Sequence, residues 1–461
     1  MSKQFPDNIY FVGAGGIGMA ALERYFLSQG CRVAGYDRTP TDLTNDLISE
    51  GVDIVFDDDP TLIPAEMRDK DTTLVVYTPA VPDSHRALSW FRANGFRVVK
   101  RAEVLGLAVN HGHPICFSGT HGKTTTSSMA AHMLHCSPYG CNAFLGGVLR
   151  NYSTNFLLAP STDLSVVEAD EFDRSFHHLR PYVAVITSTD PDHLDIYGTE
   201  EAYLESFAHF TELIRPGGAL LIHTGLKVRP RPGKDVRVMT YSRTEGDFHS
   251  ENIRHADGSI TFDLVTPSGL IKDVALGVPV EINIDNAIAA MGALWLAGVF
   301  EPDSAREAMS TFMGPKRRFE FWLKEPGHAI IDDYAHHPDE LAASIRSVRA
   351  LYPDRKLTVA FQPHLFSRTR DFAPEFARAL SLADEVILLP IYPAREAPIP
   401  GVTSQIILDN ITAQEKILLD SKKDLTEVIK MRNFEVLLTA GAGDICNMLP
   451  DIVAAAARIK A

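Results

Sequence analysis

The segment with the most distinctive chemistry is G-T-H-G-K-T-T, which follows an apolar strand pattern and precedes an apolar helix pattern. Backbone N–H groups in such a loop hold a β-phosphate, the lysine binds the β- and γ-phosphates, and the next threonine can bind Mg²⁺. The spacing departs from the usual phosphate loop, because Phe117 stands where the first glycine is normally found. We predict that the whole segment binds ATP: Gly119, Thr120, His121, Gly122, Lys123, Thr124 and Thr125.

Two acidic groups end later strand patterns. The sequence E-A-D-E, which begins at Glu168, closes the run LSVVEA, and a group with His193 and aspartates follows VAVITS. In an open parallel sheet, ligands bind outside the carboxyl ends of the strands, so we expect both groups at the same edge as the phosphate loop. Carboxylates that face a nucleoside triphosphate require cations, and Mg²⁺ is therefore implied.

A second glycine-rich loop, G-A-G-G-I-G, lies between the first strand pattern and the first helix pattern. Its glycines allow a tight turn, and a pyrophosphate can then bind the N–H groups at the start of the helix. Asp37 ends the next strand pattern, where a ribose-binding carboxylate is expected. The loop alone leaves NAD(P), FAD and a UDP-sugar open as ligands. The predicted site comprises Gly13, Gly15, Gly16, Ile17, Gly18 and Asp37.

Strands that alternate with helices must position these residues. The alternation begins at residue 8, starts again near 114 and starts a third time near 328, which predicts parallel, doubly wound sheets. Residues 225–280 are more polar and predict short strands that can pair in antiparallel fashion. The chain of 461 residues is long enough for about three domains at roughly 150 residues each. We predict an α/β fold with a Rossmann-like domain at 1–108, a central ATPase-like domain with a mostly parallel sheet at 109–313, and a C-terminal Rossmann-like domain at 314–461.

Composition narrows the possible partners. The net charge of −15 opposes non-specific binding to nucleic acids or anionic membranes, so phosphates must be bound locally. No apolar run is long enough to span a membrane, and the N-terminus lacks the pattern of a secretory signal. The five cysteines are scattered, as expected for free thiols in a reducing cytoplasm.

Several ordered motifs resemble those of the Mur ligase family. GTHGKTTT, EADEFDRSF and DHLDIYG occur in the family's order, after a glycine-rich N-terminal segment. GPKRRF (314–319), DDYAHHP (332–338) and FQPH with SRTR (361–370) resemble the motifs of its C-terminal domain. The resemblance therefore covers all three segments.

The resemblance implies an ATP-dependent ligase of peptidoglycan precursor synthesis. The expected reaction joins L-alanine to the lactyl carboxylate of UDP-N-acetylmuramate through an acyl phosphate. A recycling ligase that attaches a tripeptide to UDP-N-acetylmuramate is the alternative within the family. Three other classes fit the residues less well: a nicotinamide-dependent oxidoreductase, a phosphate-loop kinase and a non-catalytic UDP-sugar binder. We expect a monomer or weak homodimer.

The resemblance also implies roles for individual residues. The glycine-rich loop and Asp37 would bind the UDP-sugar, and the C-terminal domain would bind the amino acid and close over ATP. Further ATP contacts would come from Asn283, Asn286, Arg318 and Asp333. The resemblance implies two Mg²⁺ ions in the active site, with protein ligands Thr124, Glu168 and His193. The amino acid would meet His336, His364 and Arg368. The catalytic set would be Lys123, His193, Arg318 and His336.

Three positions depart from the family pattern. Ile282 replaces the His of H-N-x-x-N, which puts one contact near the adenine in doubt. Leu365 replaces an Arg after F-Q-P-H, so Arg368 becomes the expected partner of the alanine carboxylate. Ser188 replaces an Asn that often precedes the D-H-M-D segment.

Overall fold

Alternating strands and helices build three parallel or mostly parallel sheets in this protein. A computed structural model describes residues 5–256, 258–394, 396–432 and 434–458, with backbone alone for residues 195, 457 and 458. The chain divides into two compact units. The first contains the residues up to Glu251, Asp263–Lys272 and Asp285–Met309, and the second contains Asn252–Phe262, Asp273–Ile284 and the residues from Ser310 onward. The predicted boundaries after residues 108 and 313 stay predictions.

The N-terminal sheet has the strand order β3-β2-β1-β4-β5 and is parallel throughout. β1 is buried along its whole length, as expected for the central strand of a sheet that helices cover on both faces. The elements are β1 (Asn8–Val12), α1 (Ile17–Ser28), β2 (Arg32–Tyr36), α2 (Asp42–Ser49), β3 (Asp53–Val55), β4 (Thr73–Tyr77), α3 (Arg86–Ala93), β5 (Arg97–Lys100) and α4 (Arg101–Val109).

The central sheet has the order β12-β11-β10-β6-β9-β7-β8, and only the β7–β8 pair is antiparallel within the described residues. The elements are β6 (His113–Ser118), α5 (Lys123–His135), β7 (Asn142–Leu149), β8 (Thr154–Leu157), β9 (Leu164–Glu168), β10 (Val183–Ile186), α6 (Leu194–Tyr197), α7 (Glu200–Glu212), β11 (Ala219–His223) and β12 (Arg237–Tyr241). β12 pairs in parallel with β11, so the first part of the polar segment 225–280 joins this sheet.

The rest of that polar segment forms a small sheet in the order β13-β14-β15. Two helices follow it. The elements are β13 (His249–Ala256), β14 (Ser259–Thr266), β15 (Gly269–Ala275), α8 (Ile282–Leu296) and α9 (Pro302–Thr311).

The C-terminal sheet has the order β16-β17-β21-β18-β19-β20, and β16 runs antiparallel to β17 at one edge. β18 and β21 are fully buried, because both are central strands. The elements are β16 (Glu320–Glu325), β17 (His328–Asp333), α10 (Pro338–Leu351), β18 (Leu357–Phe361), α11 (Phe366–Asp371), α12 (Ala373–Leu380), β19 (Glu385–Leu388), α13 (Gln405–Leu408), β20 (Glu415–Leu418), α14 (Leu425–Met431), β21 (Val436–Ala440) and α15 (Leu449–Arg458). The predicted α/β class with parallel sheets is confirmed.

Short 3₁₀ turns complete the regular structure. They lie at Pro60–Leu62, Ala65–Arg68, Phe172–His178, Lys422–Asp424 and Ile445–Met448. Across the part of the chain that the structure describes, no helix has both the length and the apolar character needed to cross a bilayer.

Candidate active site

The strand register brings the phosphate loop and the first acidic group to one edge of the central sheet. Phe117 of β6 pairs with Glu168 of β9, and Ser118 pairs with Ile186 of β10. The three strands therefore end within one residue of each other. The loops that follow them start side by side at the carboxyl edge of the sheet.

The phosphate loop is held in a conformation that requires glycine. Gly119 and Gly122 have φ values of +136° and +84°, and an added Cβ at Gly119 would lie 2.1 Å from the Thr187 hydroxyl. Gly122 is the N-cap of α5 and makes no side-chain cap hydrogen bond. The N–H groups at the start of α5 are consequently available to an anion.

Residues after β10 fix the other side of this loop. The Ser188 hydroxyl accepts a hydrogen bond from the His121 N–H at 2.8 Å, and the Thr120 hydroxyl donates to the Asp190 carbonyl at 2.7 Å. The Thr120 hydroxyl also lies 2.8 Å from that of Tyr203. Ser188, which replaces a family Asn, thus still contacts the phosphate loop.

The Lys123 ammonium is bound by an internal carboxylate. Its Nζ atom lies 2.8 Å from Oε1 and 2.7 Å from Oε2 of Glu171, and it donates to the Gly119 carbonyl at 2.6 Å. Glu171 is only 1% exposed, and burial raises its pKa although Lys123 acts in the opposite direction. Glu171 is the last residue of the E-A-D-E group, but its ion pair with Lys123 was not predicted from the sequence.

Thr124 and Glu168, both predicted as Mg²⁺ ligands, are in contact. The Thr124 hydroxyl donates to Glu168 Oε1 at 3.0 Å, and the Gly146 N–H donates to Oε2 at 3.0 Å. Burial raises the pKa of Glu168, and the nearby Lys123 charge opposes this rise. Hydroxyl and carboxylate oxygens suit Mg²⁺, which uses few protein ligands alongside substrate phosphates. The described residues contain no cluster of three His, Cys, Asp or Glu side chains able to hold a metal alone.

His193 lies at the start of α6 with φ of +52°. Its Nε2 atom is 3.6 Å from the Asp192 carboxylate, and its ring packs edge-to-face against Phe172 with centroids 5.1 Å apart. The side chain is partly exposed, which leaves it accessible to a ligand. Its role as a Mg²⁺ ligand stays a prediction.

The two predicted nucleotide-binding asparagines fall in different units. In the first, Asn286 Oδ1 accepts a hydrogen bond from the Thr126 hydroxyl of α5 at 3.1 Å. In the second, Asn283 donates to the Val278 carbonyl at 3.0 Å. Ile282, which replaces a family His, is 58% exposed.

The carboxylate of Asp37, which follows β2, contacts the glycine-rich loop of the first unit. Asp37 Oδ2 accepts a hydrogen bond from the Gly15 N–H at 2.7 Å, and Oδ1 accepts one from Thr39 N–H at 3.1 Å. Gly16 caps α1 without a side-chain hydrogen bond. Asp37 therefore lies against the loop, and its predicted contact with a ribose stays a prediction.

In the second unit, the adjacent arginines of the R-R-F motif have different partners. Arg317 donates to Asp332 at 3.2 Å and to the Gly443 carbonyl at 3.0 Å, so it stabilises the domain itself. Arg318 packs its guanidinium near the ring of Tyr334, 5.9 Å from the centroid. Asp333 accepts a hydrogen bond from Ser344 at 2.6 Å, and burial raises its pKa.

The predicted amino-acid site contains neighbouring histidines. The rings of His336 and His364 are 6.2 Å apart, and His364 stacks on Tyr392 with centroids 5.8 Å apart. Burial lowers the pKa of His336, and burial together with the Arg368 charge lowers that of His364. Both shifts favour the neutral form of the imidazole.

A carboxylate that sequence analysis missed holds the helix that carries Arg368. Glu396 accepts a hydrogen bond from the Ser367 N–H at 2.9 Å and a second one from its hydroxyl. Leu365, at the N-cap of α11, has φ of +71°. The departure from the family Arg therefore falls at a backbone position that favours glycine. Pairing of Glu396 with Ser367 spans 29 residues, and no short motif signals it.

Family models match along most of the chain. A model described as "Mur ligase family, catalytic domain" matches residues 8–113, "Mur ligase middle domain" matches residues 117–294, and "Mur ligase, glutamate ligase domain" matches residues 317–443. The chain belongs to the Mur ligase family. The family predicted from the ordered motifs is confirmed.

Curated Mur ligases resemble the chain over nearly its full length. It is 58% identical over 445 residues to the UDP-N-acetylmuramate–L-alanine ligase of Parabacteroides distasonis, which covers 96% of both chains. It is 52% identical over 440 residues to the enzyme of the same name from Porphyromonas gingivalis (strain ATCC 33277), covering 95% of this chain and 96% of the relative.

Solved Mur ligase structures share the architecture. The UDP-N-acetylmuramate–alanine ligase of Thermotoga maritima superposes with a TM-score of 0.82 at 26% identity, over 98% of this chain and 99% of the other. A murein peptide ligase from Psychrobacter arcticus gives a TM-score of 0.63 at 22% identity, over 97% and 98% of the two chains, and shows the fold alone. The multidomain α/β architecture predicted from the sequence is confirmed.

Proposed function

We propose that this Mur ligase is an ATP-dependent ligase that forms the amide between the lactyl carboxylate of UDP-N-acetylmuramate and L-alanine. The observation that carries the proposal is the phosphate loop beside the acidic strand end, where Thr124 meets Glu168 and Lys123 meets Glu171. Full-length similarity to enzymes named for this reaction supports the choice of substrates.

The first half of the reaction activates a poor acyl donor. A lactyl carboxylate oxygen forms a bond to the γ-phosphorus of ATP, the bond to the β,γ-bridging oxygen breaks, and ADP leaves. Positioning and charge neutralisation supply most of the catalysis of such a transfer. We assign the neutralisation of the phosphates to Lys123 and to the N–H groups at the start of α5. Arg318 and Asp333 of the second unit are proposed as further ATP contacts.

Thr124 and Glu168 are the side chains that would hold Mg²⁺, with His193 proposed for a second ion. When bound, the ion supplies positive charge that offsets the charge of the phosphates. The chain's own residues fit this use, because the donors are oxygen atoms that hydrogen bonds already orient.

The second half of the reaction forms the amide. The alanine nitrogen attacks the acyl carbon, a tetrahedral intermediate forms, and inorganic phosphate leaves with the electrons of the broken C–O bond. The ammonium must first lose a proton. We assign this step to His336, because burial lowers its pKa and so favours the neutral imidazole that can accept a proton.

Omission of single substrates tests the proposed reaction. We expect phosphate release that requires UDP-N-acetylmuramate, MgATP and L-alanine together, with formation of the alanyl product by mass spectrometry. Phosphate release with the tripeptide and none with L-alanine would assign the recycling reaction instead. Reduction of NAD(P) without ATP turnover would indicate an oxidoreductase.

The proton acceptor has a separate test. His336→Ala should lower kcat at saturating L-alanine about a hundredfold or more, as is typical when a general base is removed. An unchanged kcat would remove His336 from this role and favour His193.

The proposed substrates are cytoplasmic metabolites, so we place the enzyme in the cytoplasm.

A further inference from the structure

Arg101 has an unusual position beside the glycine-rich loop. It is the first residue of α4, and its guanidinium lies over the first turn of α1. A Cβ added at Gly18 would lie 2.9 Å from Nη1 of Arg101 and 3.3 Å from its Cδ. Gly18 therefore leaves the space that the arginine occupies.

The guanidinium has more donors than partners. Its side chain is only 18% exposed, yet the one polar partner it meets among the described residues is the Asp170 carboxylate at 3.7 Å. A guanidinium offers five N–H donors in a planar fork that matches phosphate geometry. A largely buried arginine with such a loose ion pair retains donors for a ligand.

The neighbouring cation is bound differently. Lys100 donates to Asp173 at 2.7 Å, and this hydrogen bond raises its pKa. Its ion pair is thus about 1 Å shorter than the one that Arg101 makes with Asp170. Of the two cations at the β5–α4 junction, Arg101 is the one with capacity to bind an anion.

We propose that Arg101 binds the diphosphate of the UDP-sugar across the first turn of α1. The proposal rests on the proposed function, because it names a residue for the substrate assigned to the glycine-rich loop. Arg101 supplies a bidentate cation to an anion that the loop N–H groups hold from the other side. The bound diphosphate replaces Asp170 as the partner of the guanidinium.

The test compares ligands with and without phosphates. Calorimetry measures binding of UDP-N-acetylmuramate, UDP and uridine to the wild type and to Arg101→Met, which keeps the apolar stem. We expect the variant to bind both diphosphates about tenfold to a hundredfold more weakly, since hydrogen bonds to charged groups are in this range. Uridine affinity should change less than about twofold, because a merely structural role would affect all three ligands alike.

Three controls sharpen the result. Arg101→Lys should recover part of the diphosphate affinity. Arg97→Met changes an exposed arginine of the same unit and should bind all three ligands as the wild type does. Gly18→Ala should displace the guanidinium and weaken UDP binding in the wild type, but much less in Arg101→Met.

The outcomes separate this proposal from the proposed function. A wild type that binds no UDP-N-acetylmuramate would contradict both. The wild type could instead form the alanyl product while Arg101→Met binds UDP as tightly as the wild type does. That result would overturn the role of Arg101 alone. An equal loss for UDP and uridine in a folded variant would also overturn it.

Discussion

At the scale of single residues, Lys123 illustrates how a cation that we propose to be catalytic can depend on a buried anion. Removing the lysine leaves Glu171 without its ion-pair partner in a nearly inaccessible site. Breaking a buried ion pair from one side costs about 3–5 kcal/mol. We therefore expect Lys123→Met to lose both phosphate release and free energy of unfolding, measured by a phosphate assay and by urea denaturation.

A double variant separates these two losses. Lys123→Met with Glu171→Gln removes both charges, so its free energy of unfolding should return toward the wild-type value. Phosphate release should stay at background, because the cation proposed to bind the phosphates is still missing. A double variant as unstable as Lys123→Met would contradict the idea that the unpaired carboxylate causes the instability.

Glu23 on α1 is another buried carboxylate. The side chain is fully buried, and within the described residues neither oxygen has a hydrogen-bond partner. Burial raises its pKa well above the ordinary value of a glutamate. The folded protein thus binds the proton more tightly than the unfolded chain, and stability falls as pH rises above about 4.5.

Replacing this carboxylate should stabilise the protein. We expect Glu23→Met to raise the free energy of unfolding at pH 8 by about 1–3 kcal/mol, the typical cost of an unsatisfied buried group. The gain should shrink as pH falls to about 4, measured by urea denaturation across pH. Glu66→Gln, an exposed change in the same unit, should show no such pH dependence.

At the scale of elements, α10 connects the stability of the second unit to the geometry of its histidines. Glu340 accepts hydrogen bonds from the N–H groups of His336 and His337 at 3.0 and 3.2 Å. Although burial acts to raise it, these donors hold the pKa of Glu340 below its ordinary value. A lowered carboxylate pKa adds stability above about pH 4.5, and that stability is lost as pH falls through the folded pKa.

Truncating the Glu340 side chain should affect stability and substrate binding together. Glu340→Ala should lower the free energy of unfolding at pH 7 by about 1 kcal/mol and raise the KM for L-alanine. The stability difference should disappear in acid. Arg346→Ala, an exposed change on the same helix, should leave the KM for L-alanine unchanged. An unaltered KM for L-alanine in Glu340→Ala would show that Glu340 does not position His336.

The elements were more predictable from sequence than the contacts between them. Strand patterns and glycine loops are local signals, and they located α5, β9 and β10 and the loops that follow. The pairing of Lys123 with Glu171 spans 48 residues, and that of Ser367 with Glu396 spans 29. Such contacts arise from folding of the backbone, so no local pattern reveals them. Arg101 was missed for this reason, since only the fold places it beside Gly18.

At the scale of the whole molecule, the proposed function requires a protein of net charge −15 to bind two highly anionic substrates. The negative net charge of the protein repels these substrates at long range, so their affinity must come from short-range contacts and bound cations. Removal of Mg²⁺ by EDTA should therefore abolish phosphate release, and added Mg²⁺ should restore it.

Thr124→Val provides a matched variant for this prediction. It removes the hydroxyl that meets Glu168 and should raise the Mg²⁺ concentration for half-maximal turnover by about tenfold or more. UDP binding in the absence of ATP should stay at the wild-type value, because the glycine-rich loop is assigned to that ligand. Turnover that persists in EDTA would contradict the assignment of Thr124 and Glu168.

The strands β6, β9 and β10 end within one residue of each other, and this alignment limits which insertions and deletions the chain can accept during evolution. Side chains alternate along a strand, so loss of one residue within β9 would turn Glu168 to the opposite face of the sheet. The mostly exposed connection between His223 and Arg237 has no such register to preserve. Insertions and deletions should accumulate in that connection during divergence, while the three strand lengths stay fixed and only their side chains change.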